Sequence, residues 1–217
     1  MTVRKSMGQH VFEHLKKAII NGELVSGMRL VESRIADAMD ISRTPVREAI
    51  HKLEREGFLE KLPRGGFKVL GLTSADIQET FGIRSVLESY AARLAAIQHT
   101  EKELIPLERK IEQYQAHLEQ GNLDALPEIN TEFHDMLYAL SRSPRLIRMI
   151  NGLRDQIYRF RQIILKIEDL ANTSNRDHRM MLALIRKRDA EGVERLVRDH
   201  ILRGQAAVLE NMDEEGN

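Results

Sequence analysis

The chain contains no cysteine. A disulfide framework, a cysteine-ligated zinc site and a thiol nucleophile are therefore excluded. No apolar run approaches the roughly 20 residues that a membrane-spanning helix needs, and the first residues show no apolar core of a secretory leader. The expectation is a soluble, cytoplasmic protein with no membrane partner. Its 217 residues suffice for one large domain or two modest ones with a sizeable core. Net charge is missing too, with 33 Lys+Arg against 33 Asp+Glu. The balance hides an asymmetry. Residues 1–72 hold 13 basic and 9 acidic side chains, a net of +4, whereas the remainder holds 20 and 24, a net of −4. A basic head on an acidic body suits a head that meets nucleic acid.

What is present is organised around Ile41–Gly57. Ser42 and Thr44 are good helix N-caps, and Pro45 fits a first turn, where its missing N–H costs nothing. Val46, Ala49, Ile50 and Leu53 recur at helical spacing and give one apolar face. Gly57 supplies the stop. Ser42, Arg43, Thr44 and Arg47 crowd the exposed start with hydroxyls and guanidinium forks. A helix entering a major groove by its N-terminal end needs such groups, since Arg reads guanine edges and hydroxyls take phosphates. A capped surface helix that happens to be basic would look the same, so the helix alone leaves both readings open.

The flanks add an ordered series: Ile20-x-Gly22-x-Leu24-x-x-Gly27-x-x-Leu30, Ile35-Ala36, Ser42 to Ala49, Leu53-x-x-Glu56-Gly57 and Gly65-Gly66-Phe67-x-Val69. This series resembles the winged-helix domain of the GntR family of bacterial transcription regulators. Asp40 departs from it, standing where the family usually has Gly; Asp tolerates the left-handed conformation better than most residues. The expected head has an arm with Arg4 and Lys5, a helix over about 9–21 and a second over about 32–39. The third helix reads DNA, and strands over 58–62 and 67–70 flank a hairpin. Arg34 in the second helix, and Arg64 and Gly65 at the hairpin tip, join Ser42, Arg43, Thr44 and Arg47 as candidate contacts to double-stranded operator DNA.

Beyond a linker at 71–73 no strand pattern appears. Helical patterns run over about 74–98, with Ile77, Phe81, Ile83, Val86, Leu87, Ala91, Leu94 and Ala95 inside, then over 101–120, 123–141, 144–167, 174–188 and 189–211, with a break at Asn172-Thr173-Ser174. The expected fold class is mainly α: a winged helix-turn-helix over 1–72, an antiparallel all-α bundle of about six helices over 73–212, and a disordered acidic tail over 213–217. Of the eight His, His10, His14, His51, His99 and His117 read as surface residues. Asn130 and His134 leave one face of a helix beside Phe133 and Leu137. His178 shares the register of Met181, Leu182 and Ile185, and His200 that of Val197 and Ile201. Three helices thus point a His inward. They are either separate core residues, each with its own partner, or a cluster that holds a metal or an anion.

Arg84-x-x-x-Glu88, Asn130-x-x-Phe133-His134, Asp177-His178 and Asp199-His200 resemble the FCD ligand-binding domain that accompanies the GntR head. The resemblance implies a divalent metal, Zn or Ni for imidazole-rich ligation, on Asn130, His134, His178 and His200. Asn130 stands where the family more often has Asp, which removes an anionic ligand. The resemblance also implies that Arg84 meets the carboxylate of a small organic-acid effector. Tyr138, one turn beyond His134, is expected to line the same cavity, and Arg154 is a second candidate anion contact. The leading function is therefore a homodimeric, effector-responsive regulator on a near-palindromic operator. A metal-dependent hydrolase or lyase is the alternative, weakened by the absence of an H-E-x-x-H pattern and of a general base beside the ligands.

Overall fold

The computed structural model describes residues 6–20, 22–71 and 73–215. Arg4 and Lys5 lie outside the described residues. The chain divides into two compact units, Met1–Thr73 and Ser74–Asn217.

The first unit begins with α1 (Met7–Ile20), followed by β1 (Arg29–Leu30), α2 (Glu32–Ala38) and α3 (Arg43–Arg55). Strands β2 (Leu59–Lys61) and β3 (Phe67–Val69) complete an antiparallel sheet of order β1-β3-β2. Val11, Leu15 and Ile19 of α1 and Val46, Ile50 and Leu53 of α3 meet Leu59, Phe67 and Val69 in one core. Asp40 adopts the left-handed conformation between α2 and α3, at φ 52°. Gly57 ends α3 at φ 76°, with the Phe58 N–H on the Leu53 carbonyl and the Gly57 N–H on the Glu54 carbonyl, a Schellman stop. β1 is a strand that sequence periodicity missed, because two residues carry no period; pairing of Arg29 with Lys68 and Leu30 with Phe67 defines it. That pairing needs a glycine at 66, where a Cβ would lie 2.8 Å from the Leu30 carbonyl oxygen.

The second unit is all-helical. It holds α4 (Ser74–Gln98), α5 (Glu101–Glu119), a 3₁₀ turn at Leu123–Ala125 and α6 (Leu126–Ala139). α7 (Pro144–Asn151), α8 (Arg154–Ile164), α9 (Glu168–Arg186) and α10 (Ala190–Glu215) follow. There are thus seven α-helices among the described residues, where the periodicity suggested six. The expected helix over 144–167 is two, because Gly152 and Leu153 tighten into a turn whose N–H groups bond Arg148, Met149 and Ile150 carbonyls. The expected break at Asn172-Thr173-Ser174 does not occur. α9 runs through it, and the chain breaks instead at 165–167. α10 reaches Glu215, into the stretch expected as a disordered tail, and 216–217 lie outside the described residues.

α4 buries Phe81, Arg84, Ser85, Glu88, Ser89 and a run of alanines. Ile83 and Val86, expected inside, are exposed. The helix is apolar around most of its circumference, so spacing alone could not choose its inner face. His99, expected at the surface, is buried just beyond this helix. Its Nδ1 lies 3.1 Å from both the Ala95 and the Ala96 carbonyl oxygens, so it donates to the open end of α4.

Candidate functional site

In the first unit, the start of α3 is exposed and rich in donors. Ser42 occupies the N-cap position at φ −68° and ψ 159°, yet its hydroxyl makes no cap bond. Ser42, Arg43, Thr44 and Arg47 are all exposed, and Arg47 Nε makes one bond, to Glu32 Oε2 at 3.2 Å. Arg34 is exposed on α2, and Arg64 and Gly65 are exposed at the hairpin tip. Arg29, which sequence reading passed over, donates from Nη2 to the Gly65 carbonyl at 2.8 Å and so braces that tip. Free N–H groups at a helix start, hydroxyls and unengaged guanidinium nitrogens form a surface that phosphates and base edges can satisfy.

In the second unit, α6, α9 and α10 bring His134, His178 and His200 together. One ring nitrogen from each lies within 4.8 Å of those of the other two, and their ring centroids are 5.0–5.6 Å apart. They are one cluster and not three separate core residues. Burial holds the His134 and His178 imidazoles well below their ordinary pKa, and the nearby Arg161 charge adds to the effect. Both rings are therefore neutral at physiological pH.

Each of two rings has its far nitrogen fixed. Tyr138 donates its hydroxyl proton to Glu88 and accepts from His134 Nδ1 at 2.9 Å, which leaves Nε2 of His134 with a lone pair. Asp177 Oδ2 accepts from His200 Nδ1 at 2.9 Å and from Arg203 Nη2 at 2.5 Å, with the same consequence for His200. A carboxylate behind a ligating imidazole is the arrangement that fixes tautomer and orientation at metal sites. Asn130 Nδ2 lies 3.3 Å from Ser174 Oγ and 3.5 Å from His178 Nε2. Its neutral amide thus borders the cluster without adding an anion. Three imidazoles with available lone pairs fit a divalent metal of the transition series.

Beside the cluster lies a cavity walled by Phe81, Arg84, Asn130, His134, Arg161, Ser174, His200 and Arg203, with Ile164, Leu165, Leu170 and Ile201 as its apolar surface. Arg84 does face it, while also making the i, i+4 ion pair with Glu88 at 2.8 Å between Nε and Oε1. Burial would raise the Glu88 carboxyl, but the Arg84 and Arg161 charges outweigh it and hold the carboxyl below its usual range. Tyr138, expected to line the cavity, does not. Its hydroxyl is drawn to Glu88 behind His134. Arg154 is not at the cavity either. The turn at Gly152–Leu153 sets it at the exposed start of α8, paired with Asp135 at 2.6 Å. Arg161, two turns on, takes the inward position that Arg154 was expected to hold. The sequence did carry a signal for it, since Arg161 follows Ile157 by four residues on an otherwise apolar stripe.

The chain matches the gntR family of bacterial regulatory proteins over residues 7–69 and the FCD domain over residues 79–203. It is 31% identical over 190 residues to the HTH-type transcriptional regulator YdhC of Bacillus subtilis, covering 87% of this chain and 85% of that one. It is 27% identical over 195 residues to the HTH-type transcriptional repressor RspR of Escherichia coli, covering 90% and 86%. Among solved structures, McbR/YncC of Escherichia coli aligns over 96% of this chain and 100% of its own, at a TM-score of 0.75 and 25% identity.

Proposed function

The chain belongs to the GntR family of bacterial transcription regulators and carries an FCD domain, and from that premise we propose that its operator affinity is set by a small carboxylate-bearing effector bound beside a metal in the helical unit. The matching relatives are transcription regulators, which sets aside the hydrolase alternative. Ser42, Arg43, Thr44 and Arg47 at the start of α3 are the major-groove contacts in this reading. Arg34, Arg64 and Gly65 are the flanking ones. The single observation that supports effector control is the cavity. It is lined by His134 and His200 of the three-histidine cluster together with the buried Arg84 and Arg161.

His134, His178 and His200 would hold the metal, Zn or Ni by donor type, with Asn130 as the neutral neighbour at the fourth side. Bound there, the metal would supply a Lewis-acidic position for an effector oxygen. Arg84 faces the same space. One recognition helix reads too few base pairs alone, so a homodimer on a near-palindromic operator follows. Ile83, Val86, Tyr90 and Ile97 are exposed along one side of α4, an apolar stripe that supports dimerisation through the helical unit. An effector acts by preferring one spacing of the two heads over the other. The setting is the bacterial cytoplasm.

Footprinting of the purified full-length protein on DNA upstream of its own coding sequence tests this reading. A protected near-palindrome about two half-sites long is expected. Absence of protection at micromolar protein, with the chain folded, would refute it.

A further inference from the structure

Arg161 is buried, with 7% of its surface exposed, on the wall of the cavity. Its Nη1 donates to Thr131 Oγ1 at 2.9 Å, and the Thr131 hydroxyl proton goes to the Pro127 carbonyl at 2.6 Å. Thr131 is thus a fixed acceptor that orients the guanidinium and does nothing for its charge. Arg161 makes no ion pair among the described residues. The other two arginines of the wall differ. Arg84 is neutralised by Glu88 and Arg203 by Asp177. Glu88 also acts on Arg161 at longer range, but its oxygens are taken by Arg84 and Tyr138. None of the guanidinium nitrogens of Arg161 is both sealed off and unpartnered, so its spare donors open towards the cavity. A buried charge with one neutral acceptor is costly. Burial lowers the affinity of this guanidinium for its proton, and the Glu88 carboxylate, which is paired with Arg84, offsets only part of that.

We propose that Arg161 is the cation that the effector neutralises, and that the effector is a small acid with one carboxylate at this end and an apolar carbon skeleton. The carboxylate takes the spare Arg161 donors as a planar fork. The skeleton lies against Phe81, Ile164, Leu165 and Ile201, and Arg84 adds hydrogen bonds from a pair that is already neutral. This deepens the effector reading given above and rests on it. It moves the anion-selecting charge from Arg84 on α4, which the resemblance favoured, to Arg161 on α8.

The test uses the full-length protein and a matched pair of probes, butyrate and butyramide, which have nearly the same shape and differ in charge. Butyrate is expected to raise the melting temperature in a concentration-dependent way, and butyramide is expected to leave it unchanged. Arg161→Gln should bind butyrate at least about tenfold more weakly by calorimetry, the loss of roughly one charge-assisted hydrogen bond. In the absence of anion it should melt no lower than the wild type, since it removes a buried guanidinium that makes no ion pair of its own. Arg161→Lys, which keeps the charge and loses the fork, should respond to butyrate between the two. A structural residue would behave in the opposite way: Arg161→Gln would melt lower and still bind butyrate like the wild type, and that result overturns the proposal. So does a wild type indifferent to butyrate. If butyrate binds through Arg161 but leaves operator binding unchanged, the anion site stands and the regulatory reading of the cavity fails.

Discussion

Glu88 is the residue whose removal should be felt furthest. Its side chain is fully buried in α4, accepts from Arg84 Nε at 2.8 Å and from the Tyr138 hydroxyl, and faces the Arg161 charge. Glu88→Gln keeps the shape and removes the anion, leaving two buried guanidinium groups without it. Breaking a buried pair from one side costs about 3–5 kcal/mol, and we place this variant near 3 because the amide oxygen can still accept one bond. Against a total stability of about 5–15 kcal/mol, the helical unit should unfold at visibly lower urea, read by far-UV circular dichroism. The double variant should behave differently. Arg84→Met/Glu88→Leu replaces the pair with apolar bulk, so its cost should fall short of the two single costs by more than about 1.5 kcal/mol. Strictly additive costs, or a Glu88→Gln cost below about 1 kcal/mol, would refute the claim that this pair carries the interior of α4. The effect should reach the cluster as well, because Tyr138 loses the acceptor that turns its oxygen towards His134.

Arg43→Ala/Arg47→Ala should weaken operator binding while leaving the melting temperature unchanged, with about 1–3 kcal/mol from Arg47 if it is bidentate to guanine; unaltered binding in a gel-shift titration would remove both from the interface. Lowering the pH should destabilise metal-free protein from about pH 6.5 downward. The His134 and His178 pKa values are depressed in the folded state, so the unfolded chain binds more protons there and stability falls with pH. Glu88 and Asp177, also depressed, extend the loss below the ordinary carboxylate range. A urea midpoint at pH 5.5 equal to that at pH 7.5 would contradict this. Val86→Glu/Ile97→Glu on the exposed side of α4 should yield a monomer in sedimentation velocity; an unchanged dimer would place the interface elsewhere.

The first unit was legible from sequence because its rules are local. Caps, a glycine stop and a one-sided stripe placed α3 within a residue or two, and the left-handed turn at Asp40, expected from the resemblance, is one that an aspartate tolerates. The second unit was legible in its helices and not in its faces. α4 shows why: where leucine-sized residues surround a helix, the buried side is chosen by partners distant in sequence, and those partners favoured alanines and a charged pair over Ile83 and Val86. His99 was misplaced for a related reason. A histidine after a helix reads as surface unless one knows that its ring closes the helix end.

The failed break at Asn172-Thr173-Ser174 carries the most information. By local propensity these three residues mark a turn, since each offers the backbone an alternative to helix. Here α9 continues through them, with Asn172 Nδ2 bonded back to the Glu168 carbonyl at 3.0 Å. Thr173 and Ser174 face the cavity, and Ser174 Oγ lies 3.3 Å from Asn130 Nδ2 and 3.5 Å from His178 Nε2. Their polarity serves the site and not the chain direction. The same holds for Arg84 and Arg161, which interrupt apolar stripes on α4 and α8. Thr173, Ser174, Arg84 and Arg161 each break the rule of their own helix, and all four line the cavity that α4, α6, α8, α9 and α10 share. Agreement across levels is what specifies a fold, and departures concentrate where function needs them.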